Sequence, residues 1–306
     1  MIVLATHLVP DHAPRRRLDQ TCLEAFASLA SRAAARKAIK RGEVLLDGVQ
    51  VESSRYVQAG QTVELLEREG PQPPRYRMEL EVLHDDDQFA IVVKPPGVAV
   101  NGPKLRTLEH GLPDHLTPCR SPDALQWPRP AHRLDAKTGG LVAVGKSGAA
   151  LASLGHAFET REVEKRYRAV VIGRMEGEGH FETPIDGRDA FTRWRALREV
   201  RCLRSDWVTL LELSPRTGRR HQIRRHLSEF GHPILGDIPY GLPRLTLKGK
   251  GLFLWAVGLK LPHPITGEAC SFEIPHPRKF DTFMDREARR WTRHSSKVLA
   301  SETTRD

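Results

Sequence analysis

His132-Arg133-Leu134-Asp135-Ala136-Lys137-Thr138-Gly139-Gly140-Leu141 sets a carboxylate between an arginine and a pair of glycines, and a short apolar run, 141–144, follows. Adjacent glycines let the backbone turn sharply, because neither carries a Cβ. The apolar run behind them reads as a buried strand. The pattern predicts a glycine-bent loop that delivers Asp135 to the start of a strand, where a carboxylate can react with a ligand. The neighbouring Arg133 can touch a phosphate or fill the space of a displaced planar group. Read alone, the same residues also fit a plain turn in which Asp135 only receives local hydrogen bonds.

Outward from this loop the chain is mostly strand-like. Runs rich in β-branched and aromatic residues occur at 89–93, 141–144, 167–172, 194–200, 208–213, 253–260 and 271–274. Helices are expected at 149–158 and 221–230, the second with Ile223, Leu227 and Phe230 on its buried stripe and Gly231 at its end. Many strands with few helices predict an α+β domain over residues 78–280, built around a curved, largely antiparallel mixed sheet. Residues 281–306 read as a polar C-terminal helix and tail.

Residues 15–68 read as a second, small α+β module. Leu18, Leu23, Phe26 and Leu29 recur at helical spacing, Ser31 can cap a helix over 32–41, and Gly42 ends it. Asp47-Gly48 predicts a hairpin turn between strands at 43–46 and 49–52, and 63–66 supplies another strand. Residues 1–14 are an N-terminal extension. Pro71, Pro73 and Pro74 mark 69–77 as a linker, since proline donates to neither helix nor sheet.

Charge points to a polyanionic partner. Lys and Arg total 48 against 38 Asp and Glu, a net +10 in 306 residues. In the helix at 32–41, Arg32, Arg36 and Lys40 lie four apart on one face with no acid in the helix. That face fits either an ordinary solvated surface or a phosphate grip. Cys22, Cys119, Cys202 and Cys270 are scattered without a CxxC pair, and the histidines form no HExxH pattern. Both facts argue against a metal site or a disulfide framework. No signal peptide or membrane-length apolar run is visible, so a reduced, cytoplasmic location is expected.

Two more segments carry chemistry. In Lys165-Arg166-Tyr167-Arg168-Ala169-Val170-Val171-Ile172-Gly173, strand alternation sets Tyr167, Ala169 and Val171 on one face, against Arg166, Arg168 and Val170. Residues 216–227 hold Arg216, Arg219, Arg220, Arg224 and Arg225 with no acid among them, and the turn at Gly218 leads to a helix start that attracts anions.

These three segments, in this order, resemble the RluA-type pseudouridine synthase family. So do Asp85-Asp86-Asp87-Gln88-Phe89-Ala90-Ile91-Val92-Val93-Lys94-Pro95-Pro96-Gly97, the stretch Gly231-His232-Pro233-Ile234-Leu235-Gly236-Asp237 with Tyr240-Gly241, and His263-Pro264 with Thr266-Gly267-Glu268. The likeness spans residues 80–278. The module in front resembles the S-four-like RNA-binding module, through Arg17-Leu18-Asp19, Ser31-Arg32, Ile39-Lys40-Arg41-Gly42 and the Asp47-Gly48 turn.

The resemblance implies that Asp135 is the catalytic aspartate and that Tyr167 stacks on the target base and assists proton removal. It implies that Arg224 pairs with the catalytic carboxylate and that Arg133 helps displace the target nucleotide. Arg219, Arg220, Arg32, Arg36 and Lys40 are then RNA contacts. No metal or organic cofactor is implied, and the protein is expected to be a monomer. The expected substrate is a uridine in large-subunit (23S-type) ribosomal RNA, with transfer RNA as the alternative. An inactive RNA-binding protein of the same fold is a competing reading. So is a two-carboxylate hydrolase, for which Asp237 and Glu212 are the candidate second acids. Two departures stand out: Thr138-Gly139-Gly140 where the family has Thr-Ser-Gly, and Leu254-Trp255-Ala256 where many members have Leu-His-Ala. They leave the reacting groups in place and bear on loop stiffness and substrate identity.

The chemistry fits. Forming pseudouridine breaks a glycosidic N–C bond, turns the base and rejoins it through carbon, without redox change. A carboxylate can attack the sugar or the base, or take a proton, and the sequence leaves all three open. A guanidinium nearby keeps it ionised. Extruding a uridine costs on the order of a few kcal/mol. Stacking on an aromatic ring recovers about 1–3 kcal/mol.

Overall fold

The computed structural model describes residues 3–26, 28–29, 31–66, 74–245, 247 and 249–303. Its N-terminal part contains β1 (Val3–Leu8), β2 (Arg16–Arg17), α1 (Leu18–Ala25), α2 (Arg32–Lys40), β3 (Val44–Leu46), β4 (Tyr56–Val57) and β5 (Thr62–Leu66). The principal sheet runs β1-β5-β3, all antiparallel, and the helices cover it. Ser31 caps α2 by accepting from the Ala34 N–H, while Ala35, Ala38 and Ile39 turn inward.

Three expectations for this part need correction. The segment 1–14 is no mere extension, because β1 is an edge strand of the sheet. Val3, Leu4 and Leu8 are exposed. Backbone pairing rather than apolar burial holds β1, which is why no hydrophobic period announces it. Next, Leu23 is exposed and the buried line of α1 continues through Leu18, Cys22, Phe26 and Leu29, with Cys22 acting as a small hydrophobe. Finally, the Asp47-Gly48 turn forms, with φ of +52° and +77° as a tight two-residue turn requires. Leu46 and Val49 bond across it, but no strand follows over 49–52. The chain instead returns to α1, where Arg55 O accepts from Leu18 N at 2.7 Å. The ladder partner of β3 is β5.

Residues 69–73 of the expected linker lie outside the described residues. Beyond them, Tyr76 N donates to His110 O at 3.0 Å, so the chain is already docked before the next sheet begins.

That sheet is built from β6 (Glu81–Asp85), β7 (Phe89–Lys94), β8 (Ala124–Pro130), β9 (Gly139–Ser147), β10 (Glu164–Ile172), β11 (Glu178–Phe181), β12 (Thr192–Cys202), β13 (Asp206–Pro215), β14 (Leu254–Pro262) and β15 (Ala269–Glu273). Between them come α3 (Leu108–Gly111), α4 (Gly148–Glu159), α5 (Gln222–Glu229) and, at the end, α6 (Lys279–Thr303). The strand order is β11-β12-β13-β10-β14-β9-β7-β6, with β15 on β14 and β8 on β9. The fold is α+β around a large mixed sheet, as expected. β6, β8, β11 and α3 escape the sequence reading; β8 carries two prolines, which argue against a strand.

Among the described strands, β14 and β9 form the one parallel pairing, through Trp255 with Gly139 and Ala256 with Gly140. Since β10 pairs with β14 on the other side, Tyr167, Ala256 and Gly140 fall in one row. A bulge between Arg166 and Tyr167 sits at this row and re-aims the tyrosine. The loop ahead of β9 is thereby brought to the mouth of the central strands.

α6 is less polar than its composition suggests. It begins at Lys279, and Phe280, Phe283 and Met284 are buried in the same core cluster as the strands on either side of β13. In α5, Ile223 and Leu227 are buried as expected, but Phe230 lies beyond the helix and is half exposed.

Candidate active site

The loop ahead of β9, the start of β10 and the basic segment entering α5 line one cleft of about 560 Å³. Asp135, Tyr167 and Arg224 all face it, with Arg133, Arg219 and Arg220 along the same lining. Arg32, Arg36 and Lys40 are not part of this lining; Arg36 and Lys40 line a separate groove on the N-terminal module. Two of those three are not free cations: Arg36 Nε donates to Asp19 Oδ2 at 2.6 Å and Arg32 NH2 to the same oxygen at 3.4 Å.

The loop owes its shape to both glycines. Gly140 has φ of +116°, and a Cβ there would meet Ala256 O at 2.1 Å. A Cβ on Gly139 would lie 2.1 Å from Cζ3 of Trp255. The two departures from the family pattern are therefore one feature. Trp255 fills the space that a side chain at 139 would need, and the two residues are direct partners in the parallel pairing. Thr138 N closes the turn onto Asp135 O at 3.0 Å.

Behind the loop stands Lys94, fully buried. Its ammonium donates to Val98 O at 2.8 Å, Pro95 O at 3.0 Å and Ala136 O at 3.3 Å. Burial pushes it down to about 8, against the opposing pull of Asp135. Gly97 N also donates to Ala136 O, at 2.7 Å. The Lys-Pro-Pro-Gly turn thus clamps the carbonyl next to Asp135, an architectural use of a buried cation.

Arg224 joins two acids. Its NH1 donates to Asp135 Oδ2 at 3.0 Å, while Nε and NH2 grip Asp237 at 2.7 and 2.9 Å. Burial works to lower the Arg224 pKa, but the bonds and charges of Asp237 and Asp135 outweigh it and raise the value. Asp237 is one of the two candidate second acids of the hydrolase reading. It is in fact buried and consumed by the arginine, so it cannot serve as a second catalytic acid. Glu212, the other candidate, pairs with Arg168 and Arg195 on the sheet and does not line the cleft. The two-carboxylate hydrolase reading loses both of its acids.

The contacts that fix the remaining cleft side chains are not visible in the sequence. Burial and the Asp135 charge push the Tyr167 phenol far up, so it stays protonated and neutral near pH 7. His132 stacks on Phe158 with ring centroids 4.3 Å apart and accepts from Ala143 N at 3.0 Å. Burial, followed by the Lys165 charge, pushes it down to about 3, which keeps it a neutral structural acceptor. Gln222 organises the basic segment. Its amide oxygen accepts from Thr217 Oγ1 at 2.7 Å and from Arg219 N at 3.0 Å. Helix α5 starts at Gln222, so Arg220 sits in the preceding turn rather than one helical turn from Arg224. His221, the residue before the helix, has a left-handed φ of +56°.

Known proteins place this geometry. Residues 88–229 match the family profile described as RNA pseudouridylate synthase. An uncharacterized RNA pseudouridine synthase of Aquifex aeolicus is 32% identical over 293 residues, covering 86% of this chain and 91% of that protein. The ribosomal large subunit pseudouridine synthase D of Xanthomonas campestris pv. campestris is 32% identical over 308 residues, covering 90% of each. Among solved structures, human RNA pseudouridylate synthase domain containing 1 superposes with a TM-score of 0.56 at 25% identity, over 67% of this chain and 87% of that one. With a cleft that gathers an acid, an aromatic ring and a buried arginine, and relatives matched over nearly its whole length, the chain belongs to the RluA-type RNA pseudouridine synthases, isomerases that act on RNA.

Proposed function

We propose that this protein isomerises uridine in large-subunit ribosomal RNA, with Asp135 as the reacting carboxylate. Arg224 aims that carboxylate through its hydrogen bond, and Asp237 holds Arg224. Tyr167 offers its ring as the platform for the extruded base, its protonated phenol leaving it a neutral stacking surface. Arg133, Arg219 and Arg220 receive phosphates at the cleft, and Arg32, Arg36 and Lys40 do so on the S-four-like module. The protein works in the cytoplasm as a monomer.

One observation carries the reading: a partly open carboxylate stands in a basic cleft with one oxygen on a buried guanidinium. Such an acid is aimed by a fixed hydrogen bond and keeps its other oxygen for a ligand, as a nucleophile or base requires. Ribosomal RNA is favoured over transfer RNA because several of the similar proteins bear the name ribosomal large subunit pseudouridine synthase D. Mapping pseudouridines in large-subunit ribosomal RNA from cells lacking the gene tests it. Loss of modification at one or more uridines, restored by the wild-type gene, is expected. Unchanged ribosomal RNA with sites lost from transfer RNA would contradict the substrate assignment.

A further inference from the structure

The isomerisation has a proton to move, and the cleft must supply its carrier. When the N1–C1′ bond is exchanged for a C5–C1′ bond, C5 must lose a proton and N1 must gain one. Tyr167, protonated as a phenol, is a poor acceptor near pH 7. His132 is neutral but spends its Nε2 lone pair on a backbone N–H. Glu159 lies on the exposed rim. Asp135 already holds Arg224 and is needed for bond exchange.

Lys165 donates to Thr217 O at 3.4 Å and the buried Lys94 donates to three backbone carbonyls, so among the described cleft residues His221 is the titratable side chain set directly against the reacting acid. Nε2 of His221 lies 3.7 Å from Asp135 Oδ1, on the oxygen that Arg224 does not use. The other ring nitrogen, Nδ1, is 2.9 Å from the Tyr240 hydroxyl, and the two rings meet edge to face at 5.6 Å. Tyr240 is in turn fixed by the Arg224 guanidinium, 5.0 Å from its ring centre, and by its N–H donating to Asp237 Oδ1 at 3.3 Å. The histidine is thus aimed by the same buried pair that aims Asp135. Its left-handed backbone is an unusual conformation for a side chain with a Cβ. It caps nothing with its ring, so helix termination does not explain the imidazole.

We infer that His221 is the proton carrier of this reaction, a role that rests on the reading of Asp135 as the reacting carboxylate. After C5 has bonded to C1′, the Nε2 lone pair takes the C5 proton. The electron pair of the broken C–H bond restores the ring double bond. The imidazolium then gives that proton up to N1, directly or by exchange with water, and the neutral histidine is regenerated. No electrons are gained or lost overall. The charges facing His221 suit a neutral resting ring: burial lowers its pKa first, Arg224 and Arg220 lower it further, and Asp135 and Asp237 oppose them. Asp135 also stabilises the transient imidazolium once it forms.

His221→Asn tests this in the full-length protein, since asparagine tolerates the left-handed backbone. The substrate is an RNA on which the wild type turns over, prepared with hydrogen or deuterium at uracil C5. A fall in kcat of about 10²-fold is expected, in the range for loss of a general base, with KM within about threefold as for loss of a purely transition-state contact. A C5 deuterium isotope effect larger than that of the wild type should appear. The acid limb of the kcat profile, set by His221, should disappear, and added imidazole should restore part of the rate. Near-wild-type kcat would overturn the inference. So would a loss shared with KM, or one without a new isotope effect or imidazole rescue, since these mark a structural role. The wild-type rate on ribosomal RNA reports separately on the substrate assignment.

Discussion

The N-terminal module and the cleft each join a carboxylate to arginines, but inside out. In the module, the acid is buried and the cations are outside: Asp19 is 0% exposed, while Arg32 and Arg36 are 45% and 51% exposed. In the cleft the cation is inside: Arg224 is 5% exposed and Asp237 0%, while Asp135 keeps 20% of its side chain open. Burial decides the roles. A buried acid under exposed arginines orders a positive surface. A buried arginine with one acid to spare turns a partly open carboxylate toward a cavity whose rim is basic. Residue types alone do not distinguish the two.

Substitutions can break each half of this contrast. The largest effect falls at the exposed acid. Asp135→Asn should abolish turnover and leave RNA affinity, measured by filter binding, within a few-fold, because it removes a reacting group and no phosphate contact. Asp237→Ala comes next. It strips a buried arginine of its main partner, and loss of one member of such a pair costs about 3–5 kcal/mol. Chemical denaturation should register that loss, and kcat should fall because Arg224 no longer aims Asp135.

Gly139→Ser is a milder insult. The new side chain must displace the Trp255 ring, and overpacking of this kind costs about 1–3 kcal/mol. The double variant Gly139→Ser, Trp255→His should regain most of that stability in thermal melts, whereas additive losses would show that the two sites are independent.

The smallest effect belongs to the module. Burial works to raise the Asp19 pKa, but the hydrogen bond from Arg36 and the charges of Arg32, Arg36 and Arg17 outweigh it and hold the value below the ordinary 3.8. A depressed carboxylate adds stability that is full above its unfolded value and fades as pH falls through the folded one. The melting-temperature gap between wild type and Asp19→Asn should therefore be widest near neutrality and should shrink below about pH 4, where unfolded aspartate takes up its proton. A gap that does not change with pH would show that Asp19 contributes only shape.

How far the sequence was legible follows from what each feature encodes. Asp135, Tyr167 and Arg224 stand in long local patterns, and the structure gathers them in one cleft. The buried strands announce themselves through apolar runs such as 89–93. Asp237 and His221 did not reveal their contacts, because those depend on partners brought together by the fold: Asp237 reaches back to Arg224, and His221 turns toward both Tyr240 and Asp135. The coupling of Gly139 to Trp255 spans more than a hundred residues and appears only through strand pairing. β1 was invisible for another reason, since an edge strand with exposed side chains leaves no hydrophobic period. The arginines of α2 read as unopposed because their acid lies on another helix.

The central claim is that one arginine-held carboxylate, Asp135, carries out a base isomerisation. Tritium release from large-subunit ribosomal RNA labelled at uracil C5, run side by side with wild type and Asp135→Asn, tests it most directly. The account predicts release by the wild type in step with pseudouridine formed, and none from the variant. Equal release by both proteins, or free uracil in place of pseudouridine, would contradict it.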